Sequence, residues 1–135
     1  MILHRPSRTV TEFDDMLVAL LTVNFAPLHI DAHYSATTPH GRRIVNGLLI
    51  ASIAIGLGNQ DLHPVGKRPF SIDEIAHHAP TFHGDTITCA TEIEAVEQVG
   101  DELRLGVCTT VTKSDGELVM TLRRTVHSTI ESGSA

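Results

Sequence analysis

Residues 44–57 are the longest apolar run in the chain, interrupted only by Asn46, Gly47, Ser52 and Gly56. A helix written this way is apolar on nearly every face and has to be wrapped by protein on most sides. Gly58-Asn59 marks its expected end. The run falls short of the roughly 18 uninterrupted apolar residues that a membrane span needs, so no membrane partner is expected. After it the hydrophobic period changes from 3.6 to 2. Residues 86–96 place Ile87, Cys89, Ile93 and Ala95 on one face, with Glu92 and Glu94 on the other. Residues 103–111 alternate Leu103, Leu105, Val107 and Val111 against Arg104 and Thr110. Residues 117–128 alternate Leu118, Met120, Leu122 and Val126 against Arg123, Thr125 and His127. The turns at Gly100-Asp101 and Asp115-Gly116 join these strands as hairpins, and an earlier strand is expected over 68–75. One buried helix followed by an antiparallel meander is an α+β design in which a curved sheet wraps the helix. Such an open sheet leaves an edge and an uncovered face, which a second copy of the chain is well placed to cover as a homodimer or higher homo-oligomer.

Ahead of the long helix, Thr11 followed by Asp14 has the spacing of a capping box. It predicts a helix over 12–22 whose Phe13, Met16, Leu17, Leu20 and Leu21 share one face. A loop through Pro27 and His29 follows. Asp31 can cap a short turn over 32–36, and Thr37, Pro39 and Gly41 make a turn-rich connection. The length suits one domain over 1–135 with a core of its own, residues 130–135 being expected to fray. Sixteen acids against ten Lys and Arg, a net charge of -6, disfavour nucleic acid as a partner. The opening residues lack an apolar core of signal-peptide length, and Cys89 and Cys108 are not in a CxxC arrangement. Reduced thiols in a cytoplasmic protein are the expectation.

The polar loop carries one histidine, His29, toward a helix that opens with Asn46-Gly47. The first N–H groups of a helix are unpaired and point outward, and Gly47 has no side chain to keep a ligand oxygen away from its own. Nine histidines also raise a metal reading. His29 and His33 lie four apart and His77-His78 are adjacent, but no Cys or Glu sits at zinc-finger or zincin spacing, so no metal is expected. His40 and His83 are loop residues without an evident task. Gly56-Leu57-Gly58 follows no strand and is not a nucleotide fingerprint. Ser52 lacks the strand–turn–helix setting of a nucleophile elbow.

From Asn24 to Gly56 the chain resembles the MaoC-like dehydratases, the (R)-specific enoyl-CoA hydratases of the hot-dog fold. Their pattern reads Asp-x-Asn-Pro-Leu-His-x-Asp, then a spacer, then His-Gly-Met-x-x-x-Ser. Pro27, Leu28, His29, Asp31, Tyr34 and Thr37 match in the loop, and Ile44, Val45, Gly47 and Ser52 match at the helix. Phe82-His83-Gly84-Asp85-Thr86 resembles the family's Val-Gly-Asp turn into the second half of the sheet. The resemblance implies a hot-dog fold and reversible syn addition of water to a trans-2-enoyl thioester. His29 would hold and deprotonate the water or return a proton, and the Gly47 N–H would bind the thioester oxygen as enolate charge develops. One well-placed donor of that kind is worth roughly 3–4 kcal/mol in well-studied hydrolases, and the helix dipole adds to it. Asp31 and Ser52, which match the pattern, and Asn46, which stands at its histidine position, would lie around the substrate. Coenzyme A would be part of the substrate, with no separate cofactor. Its phosphates need cations, for which Arg42-Arg43 and Lys67-Arg68 are the first candidates and Arg123-Arg124 the next.

Three departures from the pattern bear on activity. Asn24 stands where the family has its catalytic acid, Ala26 where it has an asparagine, and Asn46 where it has a histidine. An amide orients water but exchanges no proton near neutral pH. Either His29 performs both proton transfers with Asn24 fixing the water, or another acid such as Asp31 has taken over, or the protein binds acyl thioesters without converting them. Asparagine at both positions, with Val45-Asn46-Gly47 and the segment 56–61, resembles the branched or dicarboxylic, mesaconyl-CoA type of hydratase. A hot-dog thioesterase is the competing enzyme class.

Overall fold

The computed structural model describes residues 1–62 and 70–129. Arg68, its neighbour Lys67, the first two residues of the expected 68–75 strand and the tail 130–135 lie outside the described residues. In chain order the elements are β1 (Ile2–Leu3), β2 (Arg8–Thr9), α1 (Glu12–Thr22), α2 (Pro27–Ile30), α3 (Ala32–Ala36), α4 (Gly47–Leu62), β3 (Ser71–His77), β4 (Thr86–Val99), β5 (Glu102–Lys113) and β6 (Leu118–Thr129). The strands form one antiparallel sheet in the order β1-β4-β5-β6-β3, with β2 also paired to β4. The sheet curls around α4. Ile50, Ala51, Ala54 and Leu57 of that helix pack against Ile87, Cys89, Val111, Met120 and Leu122. This is the α+β hot-dog arrangement.

The local signals at α1 act as their spacing predicts. The Thr11 hydroxyl accepts the Asp14 N–H, and the Asp14 carboxylate accepts the Thr11 N–H at 2.8 Å. Both long hairpins turn at a glycine with positive φ, 63° at Gly100 and 92° at Gly116, where a side chain would be strained.

Four expectations are corrected. The long helix starts at Gly47, not Ile44, because Ile44 and Val45 run extended and donate their N–H groups to Leu28 and Thr81 carbonyls. It also passes through Gly58-Asn59 to Leu62. A glycine inside a helix costs about 1 kcal/mol, but here Leu57 and Gly58 are buried, and Asp61 one turn on accepts a 2.7 Å bond from His4. Third, the helix keeps an open stripe along Leu48, Ser52 and Gly56, and α1 turns Asp15 and Ala19 inward instead of its apolar face. Phe13 and Leu21 are 71% and 74% exposed. Finally, Ile93 is exposed, because β4 runs on past the cover of α4 with a bulge between Ile93 and Ala95.

Candidate active site

His29 sits in the single turn of α2, behind Pro27, which opens that turn. Its Nδ1 lies 2.7 Å from the Ile44 carbonyl oxygen. A carbonyl only accepts, so Nδ1 carries the proton and donates it, and Nε2 of the neutral ring is left with a free lone pair. His29 lines a pocket of about 460 Å³ together with Gly47, His77, His40 and Thr81.

Asn46 caps α4. Its Oδ1 accepts the Leu48 N–H at 2.9 Å, and its carbonyl accepts the N–H groups of Leu49 and Ile50. Of the opening donors of the helix, the Gly47 N–H alone has no partner among the described residues. The glycine is required for packing as well. A Cβ there would overlap the His77 ring, with Nδ1 only 2.9 Å away. The imidazole at the end of β3 is thus seated on the Gly47 Cα inside the same pocket as His29. Thr81, also in that wall, has a buried hydroxyl without a partner among the described residues.

Behind the helix start lies Asp15, 1% exposed. Its Oδ1 accepts the Asn46 N–H at 3.0 Å, and its Oδ2 accepts the His83 Nε2–H at 2.8 Å. A carboxylate at a helix N-terminus is favoured by the helix dipole, and here it also fixes the peptide that precedes Gly47. His83 in turn lines a smaller pocket with Arg42 and Arg43. The Arg42 guanidinium stacks 3.7 Å from the Phe82 ring centroid, and Arg43 pairs with Glu12 at 2.7 Å.

The remaining residues named from the sequence stand elsewhere. Asn24 does not line the His29 pocket. With Ser52 it lines a separate cleft on the other side of the first turn of α4, and Asn46 and Leu48 contribute to both. The Asn24 Oδ1 accepts the Ala26 N–H, a turn bond at 3.4 Å, and the Ser52 hydroxyl donates to the Leu48 carbonyl at 2.9 Å. Asp31 caps α3 by accepting the Tyr34 N–H at 2.9 Å and is exposed outside the pocket wall. Arg123 is held by Glu74 at 2.8 Å and Glu94 at 3.2 Å, and Arg124 is buried, so neither is free at the surface for a phosphate. Asp15, His77, His83 and Thr81 had no assigned part in the sequence. His83 lay within the Phe82-His83-Gly84-Asp85-Thr86 motif and His77 beside His78, whereas Asp15 offered only an acid beside an apolar helix face. Among the described residues no group of three His, Cys, Asp or Glu is gathered to hold a metal, and no helix is long and apolar enough to cross a membrane.

Comparison with known proteins agrees with this architecture. The chain is 37% identical over 81 residues to the (R)-specific enoyl-CoA hydratase of Aeromonas caviae, and the match spans 59% of each chain. The solved (R)-hydratase from A. caviae superposes with a TM-score of 0.74 at 27% identity, covering 96% of this chain and 98% of that one. A monoamine oxidase regulatory protein from Archaeoglobus superposes with a TM-score of 0.83 at 29% identity, covering 94% and 90%. The family model described as the MaoC like domain matches residues 1–115, most of the chain. With an antiparallel sheet around one long helix and this site at the helix mouth, the chain belongs to the MaoC-like domain family.

Proposed function

We propose that the protein is a hydro-lyase that adds water reversibly to 2-enoyl-CoA thioesters, of the branched or dicarboxylic type. The observation that carries this reading is the pairing, in one pocket, of a histidine whose Nδ1–H is tied to the Ile44 carbonyl and the Gly47 N–H, unpartnered among the described residues. In the hydration direction the thioester oxygen accepts the Gly47 N–H. His29 Nε2 takes a proton from water as the water oxygen bonds to C3. The π electrons move to C2 and the carbonyl, and the resulting enolate is stabilised by the Gly47 donor and the helix dipole. C2 then takes a proton, which completes the addition. Asn24, an amide in a different cleft, has no part in these transfers. His77, beside Gly47, stands in for the missing acid: its imidazolium delivers the C2 proton, and the proton that His29 took from water returns through solvent to His77. The Thr81 hydroxyl, buried without a partner among the described residues, is suited to hold the water. Asp15 positions the helix start by way of Asn46. The Arg42 and Arg43 pocket suits the coenzyme A phosphates. The buried free thiols of Cys89 and Cys108 fit a cytoplasmic protein, and the chemistry calls for no cofactor beyond the coenzyme A of the substrate.

The test is incubation with linear, branched and dicarboxylic trans-2-enoyl-CoAs in oxygen-18 water, read by mass spectrometry. Labelled 3-hydroxyacyl-CoA is expected, with a rate about 100- to 10,000-fold lower in His29→Ala, the range for loss of a general base. His77→Phe is expected to lower kcat by at least tenfold and to remove one limb of the pH profile. A kcat within threefold of wild type would leave His29 working alone. Release of free thiol from saturated acyl-CoA would point to a thioesterase. Binding without turnover, with activity appearing only in Asn24→Asp, would mark a thioester-binding protein.

A further inference from the structure

The pocket of His29 and Gly47 adjoins the smaller one beside Arg42 and His83, about 260 Å³, and the two meet twice along the chain. His40 lines the first and Gly41 the second, and Thr81 lines the first and Phe82 the second. His40, Gly41 and Arg42 are exposed, so open surface joins the two pockets. The smaller one is cationic and largely preset. Arg43 is occupied by Glu12, but the Arg42 guanidinium, stacked on Phe82, has no hydrogen-bond partner among the described residues. His83 stands on a braced turn, where the Gly84 N–H donates to the Val10 carbonyl at 2.7 Å and the Asp85 carboxylate accepts the Phe82 N–H at 2.9 Å. The His83 Nε2–H is given to Asp15, and Nδ1 has no partner among the described residues.

That Nδ1 offers a lone pair in the neutral ring and a donor in the imidazolium, so an anion in the pocket holds the ring charged. The charged groups around it are Asp15 and Glu12 of α1, with Arg42 and Arg43. Asp15 is 1% exposed, and its other oxygen holds the N–H of Asn46, the residue before Gly47. A hydrogen-bonded line thus runs from the cationic pocket to the opening of α4. We propose that His83 is a positioning residue for the Gly47 donor. A phosphate beyond the pantetheine arm of the substrate binds Arg42 and the His83 Nδ1–H, and His83 fixes the helix opening through Asp15 and Asn46. A phosphate has enough acceptor oxygens for a guanidinium edge and an imidazolium together. Arg42 is five residues from Gly47, at most about 18 Å of chain, which is comparable with an extended pantetheine arm. Coenzyme A and a carrier protein's phosphopantetheine both carry such a phosphate. The proposal rests on the acyl-thioester reading above and adds to it a way for the far end of the substrate to organise the reacting end.

The experiment is NMR of the intact, isotope-labelled protein titrated with inorganic phosphate at constant ionic strength. The His83 ring nitrogens and the Gly47 amide are expected to shift along one binding curve, with Nδ1 moving toward its protonated position. A histidine serving the fold alone would leave its ring nitrogens unmoved. His83→Gln keeps a side-chain N–H for Asp15 without the charge, and in it the Gly47 response to phosphate should be lost. No response at His83, a Gly47 amide that stays still in wild type, or one that moves equally in His83→Gln overturns the proposal. If that variant does not fold, the wild-type titration still decides. Calorimetry with butyryl-CoA, butyryl-phosphopantetheine and butyryl-pantetheine then identifies what carries the phosphate. The phosphorylated thioesters are expected to bind at least about tenfold more tightly than butyryl-pantetheine, the low end for hydrogen bonds to a charged group. A gain shared by both places the phosphate next to the pantetheine in the pocket, and a gain with butyryl-CoA alone places a nucleotide phosphate there. Equal binding of all three overturns the proposal. A phosphate response at His83 and Gly47 without hydration of any enoyl-CoA keeps the His83 relay and removes the hydratase reading, and hydration without that response does the reverse.

Discussion

Gly47 answers two demands that no other residue meets together. In the proposed reaction its N–H has to stay open to a ligand oxygen, and in the fold its Cα has to accept the His77 imidazole where a side chain would be. The two demands separate experimentally. In Gly47→Ala the new methyl collides with the His77 ring, so the melting temperature is expected to fall by several degrees, as for an overpacked site costing about 1–3 kcal/mol. Adding His77→Ala removes the collision and should restore most of the stability, whereas hydration stays low because the proton donor has gone with the ring. If the double variant melts no higher than Gly47→Ala alone, the glycine is needed for backbone reasons and not for its contact with His77. The same residue shows what a sequence conveys at this scale. Its position at the mouth of a long apolar helix was legible, because a run of apolar residues behind Asn46-Gly47 is a local pattern. The ring seated on it was not, because Gly47 and His77 lie 30 positions apart and their contact is left to tertiary packing.

At the scale of elements, what depends on neighbours in sequence could be read and what depends on distant partners could not. The Thr11 and Asp14 box and the Asp31 cap follow from spacing alone, as do the glycine turns between the long strands. Gly58-Asn59 is a sound local stop signal, and it is overridden by burial of Leu57 and Gly58 and by the bond from His4 to Asp61 across 57 residues. The inward placement of Arg124 was implicit in the alternation of β6, since it falls between Leu122 and Val126, but its lack of a partner is a property of the packed sheet. The capping box carries a pH dependence of its own. Arg8 hydrogen-bonds the Asp14 carboxylate and holds its pKa at about 2, below the ordinary 3.8 of an aspartate. A group depressed on folding stabilises the native state above its unfolded pKa and loses that contribution as pH falls through the folded value. The link between β2 and α1 should therefore persist at pH 5 and fade between about pH 4 and pH 2. Arg8→Gln should lower the melting temperature at neutral pH, and the gap to wild type should close as the pH falls from about 4 to about 2. A gap that stays constant down to pH 2 would remove Asp14 from the account of acid stability.

For the whole molecule, the unsolved matter is the surface that a single chain leaves open. Phe13, Leu20, Leu21 and Val23 of α1 and its cap, with Phe25 and Leu48 beside them, are all at least half exposed. A monomer seldom carries so many large apolar side chains on one side of its surface without a partner. Another open surface among the described residues is the outer edge of β3, and it is poorly suited to pairing. It spans seven residues and displays Asp73 and Glu74, the kind of charge that blunts an edge strand. The two surfaces make opposite forecasts for a homodimer. If α1 forms the interface, each buried leucine contributes roughly 1.5–3 kcal/mol, so Leu21→Glu should turn a dimer into a monomer in sedimentation at micromolar concentration, whereas Ile72→Pro at the β3 edge should leave it paired. A dimer that survives Leu21→Glu but splits with Ile72→Pro would move the interface to the sheet edge, and a monomeric wild type would end the dimer proposal. The result also bears on the site, because the first turn of α1 holds Asp15, and Asp15 holds the peptide ahead of Gly47. If the proposed reaction holds, a partner that clamps α1 tightens the Gly47 donor, and the monomeric variant should lose hydration rate per site along with its partner.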